Sequence, residues 1–273
     1  MIQKNYHSHT YRCNHASGTD EEYILAAIEG GFHTIGFSDH IGYSELDEPV
    51  RMKYSQLEEY RTSILKLKEK YVDQITIYCG LEVEYFPSQK EILFNLRDQY
   101  DYFILGQHEL EYLGDSSYHL KTEEELEIYI SRIEEAVSLG LVDYLAHPDI
   151  CLSRYPILDT KVKEVAHRFA VLSLSHNIPI ELNCGSGIFS GIKHFEDGDR
   201  FRYPTRAFFE VFAERHCPIL IGLDAHDPKR YLNQKPVDVA LSIVEGLDLN
   251  FQQDFPLIET AKERIKEFKK KES

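Results

Sequence analysis

Seven short apolar runs alternate with longer amphipathic segments along the 273 residues of the chain. The runs have the length of β-strands and are rich in β-branched and aromatic residues, as in HTIGFSDH, and the segments between them have helical periodicity. Strands that alternate with helices predict a parallel sheet covered by helices. We predict strands over residues 2–7, 33–38, 75–84, 101–107, 142–147, 179–183 and 218–223.

Two topologies fit this alternation, a closed barrel and an open doubly wound sheet. The segment after the first strand, HSHTYRCNHASG, lacks the glycine-rich turn that binds nucleotide phosphates, which weighs against the open sheet. Because no Gly/Pro/Ser-rich linker divides the chain, we expect one domain over residues 1–273, with a long loop over 184–204. We predict helices over residues 20–30, 55–72, 88–99, 122–139, 160–176, 205–215, 235–245 and 256–271.

The composition excludes several functional classes. A balance of 30 basic and 46 acidic residues gives a net charge of −16, which repels nucleic acid. The five cysteines are widely spaced and never form a Cys-x-x-Cys pair, so we expect no disulfide framework and a reducing cytoplasm. The sequence has no apolar stretch of membrane-spanning length, so we expect no membrane association. No pattern favours a particular oligomeric state.

Histidines and carboxylates lie where the predicted strands end. The carboxyl ends of parallel strands open on one face, which is where β/α enzymes carry their chemistry. Residues two apart on a strand point the same way, so His7 and His9 form one pair, and Asp224 and His226 form another. The candidate ligands at this face are His7, His9, His15, His40, Glu82, His108, His147, Asp224 and His226.

Imidazole and carboxylate ligands together suit zinc, iron or manganese. Nine candidates are too many for one tetrahedral ion, and they could hold two or three divalent ions if one carboxylate bridges. A metal-storing protein does not require ligands spread over six strand ends around an open rim, so we favour catalysis. The other histidines fall in helices, loops or strand starts, where packing or surface roles are expected: His33, His119, His167, His176, His194 and His216.

The motifs HSH, SDH, GLEVEYF, GQH, AHPD and GLDAH, in this order over almost the whole chain, resemble those of the PHP family (polymerase and histidinol phosphatase). The monofunctional histidinol-phosphatase branch is the more similar one. It shares the Cys and His of HTYRCNHASG, the pair Arg51-Met52, GLEVEYFP and the pair Tyr203-Pro204. Gln107 and the segment ELNCGSG depart from the branch pattern and leave room for a shifted substrate preference.

The resemblance implies a distorted (β/α)7 barrel of the PHP type. In family members with a trinuclear site, the first ion would be held by His7, His9, Glu82 and Asp224. The second would be held by Glu82, His108 and His147, with Glu82 as the bridge, and the third by His15, His40 and His226. Glu84 lies two residues after Glu82 on the same face and is expected to support the ligands from behind.

The resemblance also implies an activity, the metal-dependent hydrolysis of L-histidinol phosphate in histidine biosynthesis. Cations lower the pKa of a bridging water toward neutrality, so direct attack by a metal-bridging hydroxide is expected, without a phosphoenzyme. Glu82, Asp224 and His226 are the residues expected to act in catalysis. A metal-bound water, Asp39 or Asp149 could protonate the leaving alkoxide, and Cys13 is expected to be structural.

The phosphate should also meet a guanidinium, whose planar fork matches its oxygens. Arg154, Arg202 and Arg51 follow predicted strands on the active face and are the candidates. The alternative function is a PHP phosphoesterase for another small phosphate ester, such as a nucleotide or a sugar phosphate. Nuclease activity is a further alternative, and the net charge of −16 weighs against it.

Overall fold

The structure, a computed structural model, describes residues 2–272. Eight strands form one parallel sheet that curls into a barrel, in the order β1-β2-β3-β4-β5-β6-β9-β10. A separate antiparallel hairpin, β7–β8, lies between β6 and β9 in the chain. The bounds are β1 Lys4–Asn5, β2 Thr34–His40, β3 Thr76–Val83, β4 Phe103–Leu105, β5 Tyr144–Leu145, β6 Ile180–Asn183, β7 Lys193–Phe195, β8 Gly198–Arg200, β9 Pro218–Gly222 and β10 Asn250–Phe251.

The barrel closes at one end only. Ser8 and Ala225, which follow β1 and β9, form a parallel bridge with hydrogen bonds from His9 N to Ala225 O (2.9 Å) and from Ala225 N to His7 O (3.2 Å). At the other end the short strand β10 pairs with the start of β9 instead. We call the closed end, where the strands' carboxyl ends meet, the barrel mouth.

The expected (β/α)7 barrel is confirmed, and the seven predicted strands correspond to β1–β6 and β9. The sequence reading missed β10 and placed the β7–β8 hairpin inside a loop. Both lie in segments without an apolar run of strand length, and β10 has only two residues, so neither produces the expected periodicity.

Helices follow most strands and cover the outside of the barrel. Thr19 and Thr122 cap α1 and α4 through reciprocal bonds with Glu22 and Glu125, and Asp159 caps α5, so polar residues define these helix starts. The bounds are α1 Asp20–Glu29, α2 Leu57–Lys70, α3 Lys90–Leu96, α4 Glu123–Ser138, α5 Thr160–His176, α6 Ser186–Phe189, α7 Arg206–Glu214, α8 Lys235–Ile243 and α9 Leu257–Glu272.

Short 3-10 helices lie in the loops of the described chain. Most of them follow a strand, so they shape the connections around the sheet. Their bounds are Tyr11–Cys13, Tyr54–Gln56, Pro87–Gln89, Ser117–His119, Ile150–Leu152 and Pro228–Leu232.

Helix α9 packs against the inside of the barrel at the end opposite the mouth. Its residues Leu257, Ile258 and Ala261 belong to one buried cluster with barrel side chains that include Tyr102. Asp143, which is fully buried, anchors the helix because its carboxylate accepts bonds from Arg97 (2.7 Å) and from Arg264 of α9. Apolar side chains therefore fill the end of the barrel opposite the mouth, and polar residues occupy the mouth.

Within residues 2–272, no helix combines the length and apolarity that crossing a bilayer would require. All five cysteines are buried and free. Burial raises the pKa of Cys13, Cys79 and Cys151, which keeps these thiols protonated.

Gly36 of β2 makes room for Tyr102 inside the barrel. The Tyr102 hydroxyl lies within hydrogen-bonding distance of the carbonyl oxygens of Tyr6 (2.7 Å) and Phe37 (3.1 Å). A Cβ at position 36 would overlap that hydroxyl and lie 3.0 Å from the Tyr6 Cα. The glycine is therefore required by a close approach and not by a turn.

We expect Gly36→Ala to lower the free energy of unfolding by about 1–3 kcal/mol, because overpacking forces neighbouring atoms to shift. Urea unfolding followed by circular dichroism measures this cost. In a Tyr102→Phe background the same substitution should cost less, because the overlapping hydroxyl is gone. An equal cost in both backgrounds would contradict this account of Gly36.

Candidate metal centre

The nine residues expected as ligands converge at the barrel mouth. The strand ends and the loops that follow them carry these residues, so residues distant in the chain become neighbours. Nitrogen or oxygen atoms within 4.8 Å of one another occur in the groups His7–His9–Asp224, His7–Glu82–His147, His9–His40–Glu82 and His15–His40–His226.

Glu82, near the end of β3, lies at the centre of this cluster and is 1 % exposed. Burial raises its pKa, but His40, His7 and His108 outweigh burial and hold the pKa well below its usual range. Its two carboxylate oxygens approach five imidazoles, at 3.5 Å for His7 Nε2, 3.3 Å for His9 Nε2, 3.1 Å for His40 Nδ1, 3.0 Å for His147 Nε2 and 3.7 Å for His108 Nε2.

Asp224 forms the second anionic point of the mouth. Its Oδ1 lies 3.5 Å from His7 Nε2, 3.4 Å from His9 Nε2 and 3.2 Å from His226 Nδ1. The backbone φ angle is 46° at Asp224 and 27° at His147, in the left-handed region that non-glycine residues rarely adopt. Such strain costs about 1–3 kcal/mol per residue and is typical of functional sites.

Several polar atoms of the mouth are buried without a hydrogen-bond partner, which burial makes costly. These include His7 Nε2, both ring nitrogens of His9, Glu82 Oε2 and His226 Nε2. All are atoms that coordinate divalent metals, and their mixture of imidazole nitrogen and carboxylate oxygen suits zinc, iron or manganese. The residues therefore fit a metal centre.

Two of these groups coincide with members of the ligand sets that the resemblance implies, and the assignment of residues to ions stays a prediction. His7, His9 and Asp224 lie together, and so do His15, His40 and His226. The groups His7–Glu82–His147 and His9–His40–Glu82 cut across those sets, and His108 Nε2 lies 3.7 Å from Glu82. Cys13 Sγ also lies near His9 and His226, in a fully buried position.

Glu181 of β6 contacts two of the candidate ligands from behind, and sequence reasoning missed it. Its Oε1 lies 2.7 Å from His7 Nδ1, and its Oε2 accepts bonds from His147 N (2.9 Å) and Asn183 Nδ2 (2.8 Å). Such a carboxylate fixes the tautomer and orientation of a ligand imidazole. Glu181 lies two residues before Asn183 and so shares its face of the strand, a signal that was available in the sequence.

Glu84 supports His108, as expected. It accepts bonds from the backbone N–H groups of His108 (3.1 Å) and Glu109 (3.0 Å) and lies 3.4 Å from His108 Nδ1. The Arg51 guanidinium donates to Glu84 (2.6 Å) and Glu48 (2.7 Å) and is 1 % exposed. Arg51 thus faces carboxylates instead of open space, and its position does not fit the expectation that it binds phosphate.

The two carboxylates expected as candidate proton donors each accept hydrogen bonds from backbone or side-chain donors, although Asp149 Oδ1 is buried without a partner. Asp39 accepts bonds from the backbone N–H (3.1 Å) and the hydroxyl of Thr10. Asp149 accepts a bond from the backbone N–H of Thr205, and burial raises its pKa to about 6. Neither lines the cavity described next, so their positions favour structural roles.

A cavity of about 480 Å³ opens beside the cluster, and it is large enough for a small organic phosphate. His15, His40, His108, His226 and Asp224 form one part of its wall, and Tyr118, Phe189 and Arg230 are among the others. Arg154 is exposed, Arg202 is half-buried, and neither is among the lining residues. Their roles as phosphate ligands stay predictions. Sequence reasoning did not find Arg230, because it is one of several charged residues in the run DPKR.

The histidines that were set aside lie elsewhere. Among the described residues, none of them joins a metal-ligand group or lines the cavity. His167 and His176 lie in α5, and His194 pairs with Asp199 on the β7–β8 hairpin (2.7 Å). Position at or just after the end of a predicted strand therefore distinguished the clustered histidines from the remaining ones.

Comparisons with known proteins point in the same direction. The family model of the PHP domain matches residues 5–185. The chain is 26% identical over 234 residues to a "Probable histidinol-phosphatase" from Deinococcus radiodurans, covering 81% of this chain and 85% of that one. It is also 26% identical over 282 residues to a protein of the same name from Schizosaccharomyces pombe, covering 89% and 90%.

The fold is also found in solved structures. A crystal structure of histidinol phosphate phosphatase from Lactococcus lactis, in complex with zinc, L-histidinol and phosphate, aligns with a TM-score of 0.68. The identity is 20%, and the alignment covers 92% of this chain and 95% of that one. The likeness establishes the shared fold.

We expect Glu181→Gln to lower metal affinity about 10- to 100-fold, the usual effect of removing an outer partner of a ligand imidazole. Competition with a chelator measures the affinity, and circular dichroism checks that the barrel is folded. Glu196→Gln, an exposed carboxylate on the loop between β7 and β8, is the matched control and should leave affinity unchanged. Wild-type affinity in Glu181→Gln would show that His7 needs no such partner.

Proposed function

The chain belongs to the PHP domain family, and from that premise we propose that it hydrolyses L-histidinol phosphate to L-histidinol and phosphate. The observation that carries the proposal is the cluster of imidazoles around the buried carboxylate of Glu82, beside an open cavity. The relatives from D. radiodurans and S. pombe, which span most of this chain, support the choice of substrate by their names. The protein is thus proposed to be a phosphomonoesterase, an enzyme that hydrolyses phosphate monoesters.

We assign two or three divalent ions to the mouth. One would be held by His7, His9, Glu82 and Asp224, a second by Glu82, His108 and His147, and a third by His15, His40 and His226. Glu82 would bridge, because both of its oxygens face imidazoles. Zinc, iron and manganese all accept this donor set. The zinc in the L. lactis structure makes zinc the first candidate among them.

Bound divalent ions lower the pKa of water toward neutrality and neutralise the oxygens of a phosphate ester. The residues of the chain position this chemistry. Glu181 holds the His7 ring and the backbone of His147, and Asn183 links Glu181 to Asp224 (3.3 Å). Because these partners are buried, the ligands keep their orientation before substrate binds, which avoids reorganisation during the reaction.

The cavity supports a small polar substrate. Tyr118 and Ser116 offer hydroxyl groups at its wall, and Glu109 offers a carboxylate that could face the substrate's ammonium group. We propose that a direct displacement transfers the phosphoryl group to water, since bound divalent ions would lower the pKa of a water at this site and the Cys13 thiol is fully buried. A covalent phosphoenzyme is not required.

We further propose that residues 1–273 act as one domain, because Asp224 and His226 follow β9 of the same sheet that carries the other ligands. A cytoplasmic location is supported by five cysteines that are all free. The net charge of −16 supports a small-molecule substrate over nucleic acid.

The experiment combines metal analysis with steady-state kinetics on three esters. Full-length protein purified without chelator should contain divalent metal. It should hydrolyse L-histidinol phosphate with a higher kcat/KM than a nucleoside monophosphate or a sugar phosphate. A chelator should abolish turnover, and zinc, iron or manganese should restore it. A higher kcat/KM for the nucleotide or the sugar phosphate would replace the proposed substrate and leave the metal centre in place.

We expect Glu82→Gln to lose metal and activity together while the barrel stays folded. The loss in kcat/KM should exceed about 100-fold, since the effect of an outer partner such as Glu181 is smaller. Metal content by mass spectrometry, turnover and circular dichroism are measured on the same preparation. A variant that keeps both its metal and wild-type turnover would rule out Glu82 as the bridge.

A further inference from the structure

The cavity beside the metal centre has a single permanently cationic side chain among its described lining residues, that of Arg230. The acidic lining residues are Glu84, Glu109 and Asp224. The first two already lie near Arg51, at 2.6 Å and 3.4 Å. A phosphate monoester carries between one and two negative charges at neutral pH, so Arg230 is the fixed positive charge it would meet on this wall.

The half-buried Arg230 side chain differs from the buried arginines of the fold. Arg51, Arg97 and Arg12 each donate to at least one carboxylate at 2.6–2.9 Å. Among the described residues, no such bond or ion pair engages the Arg230 guanidinium, although Asp227 and Asp224 lie near enough to act electrostatically. Its donor groups are thus available to an anion that enters the cavity.

Phe189, the last residue of α6, holds the guanidinium in place. The guanidinium carbon of Arg230 lies 3.1 Å from the centroid of the Phe189 ring. The cation lies over the ring, and a cation–π contact of this kind uses none of the N–H donors. The ring therefore orients the fork of donors without using any of them.

The chain also keeps Arg230 close to the ligands. It lies in the 3-10 helix Pro228–Leu232, four residues after His226, and both side chains line the same cavity. The Asp227 carboxylate caps this helix by accepting a bond from Lys229 N (2.8 Å), which fixes the short connection. Arg154 and Arg202, the guanidinium groups expected from the sequence, do not line this cavity.

We propose that Arg230 binds the phosphoryl oxygens of the substrate and that the Phe189 ring fixes the plane of its guanidinium. The assignment rests on the proposed phosphoesterase function and adds a binding residue to it. Two parallel N–H donors of an arginine match two oxygens of one phosphoryl group, which a lysine ammonium cannot do. Arg230 accordingly contributes both charge and orientation.

The test compares Arg230→Ala and Arg230→Lys in the metal-loaded full-length protein. We expect Arg230→Ala to raise KM for the ester, and the dissociation constant of inorganic phosphate, about 10- to 100-fold, the range of one charge-assisted contact. Metal content should stay at the wild-type level. Arg230→Lys should recover part of the loss, because it restores the charge but not the fork.

Lys229→Ala is the matched control, because Lys229 is the adjacent cation, is exposed and does not line the cavity. It should change neither constant by more than about twofold. Phe189→Leu should raise both constants by a smaller factor than Arg230→Ala, since it removes the ring and keeps the guanidinium.

Calorimetric titration with inorganic phosphate separates this proposal from the choice of substrate. If the protein hydrolyses a generic phosphate ester and not L-histidinol phosphate, the proposed substrate fails, and phosphate binding still tests Arg230. Equal phosphate affinity in wild type and Arg230→Ala would overturn the role of Arg230. So would loss of metal from Arg230→Ala in parallel with loss of phosphate binding, because the residue would then act on the metal centre.

Discussion

Glu82 is a carboxylate held almost out of contact with water among five imidazole rings, and the mouth is organised around it. Moving a carboxylate out of water costs several kcal/mol unless positive charge and hydrogen bonds offset the loss. Without metal, only protonated imidazoles can supply that charge. The unpartnered ring nitrogens of His7 and His9 show that hydrogen bonds alone do not complete the site. Metal binding therefore removes an energetic cost that the fold creates, and it stabilises the folded chain.

The closure of the barrel makes this cluster possible. The bridge between Ser8 and Ala225 places His7 and His9 beside Asp224, over 200 residues away in the chain. Side chains alternate along a strand, so a slip of one residue in this pairing would turn the ligands away from the mouth. The opposite end can stay irregular, with β10 and α9 filling it, because no ligand depends on its register.

The elements that have a periodic apolar pattern were predictable from the sequence. Strand β3 and helix α5 appear at their predicted places, because a buried strand and an amphipathic helix each leave a periodic apolar pattern. The candidate ligands were found because the carboxyl ends of parallel strands meet on one face, and this depends only on strand polarity. Arg230 was not found, because what it contacts is set by tertiary packing, whereas the position of Glu181 on the same strand face as Asn183 was a signal that went unused. The surroundings of Arg51 were not foreseen for the same reason as those of Arg230, since nothing local indicates that it lies among carboxylates.

The metal centre and the cavity wall have different tasks in this fold. Any phosphate monoester presents the same oxygens to the ions, so the ions cannot distinguish one alcohol from another. Discrimination has to come from groups that contact the rest of the substrate, and it is strongest where a missing partner leaves a buried polar group unpaired. The cavity wall beyond the candidate ligands lies on the loop after β4, which carries Glu109 and Tyr118, and on the segment after β6, which carries Ser186. The segment after β6 begins with ELNCGSG, a departure from the family pattern, so substrate preference is the property in which this chain has most freedom to differ.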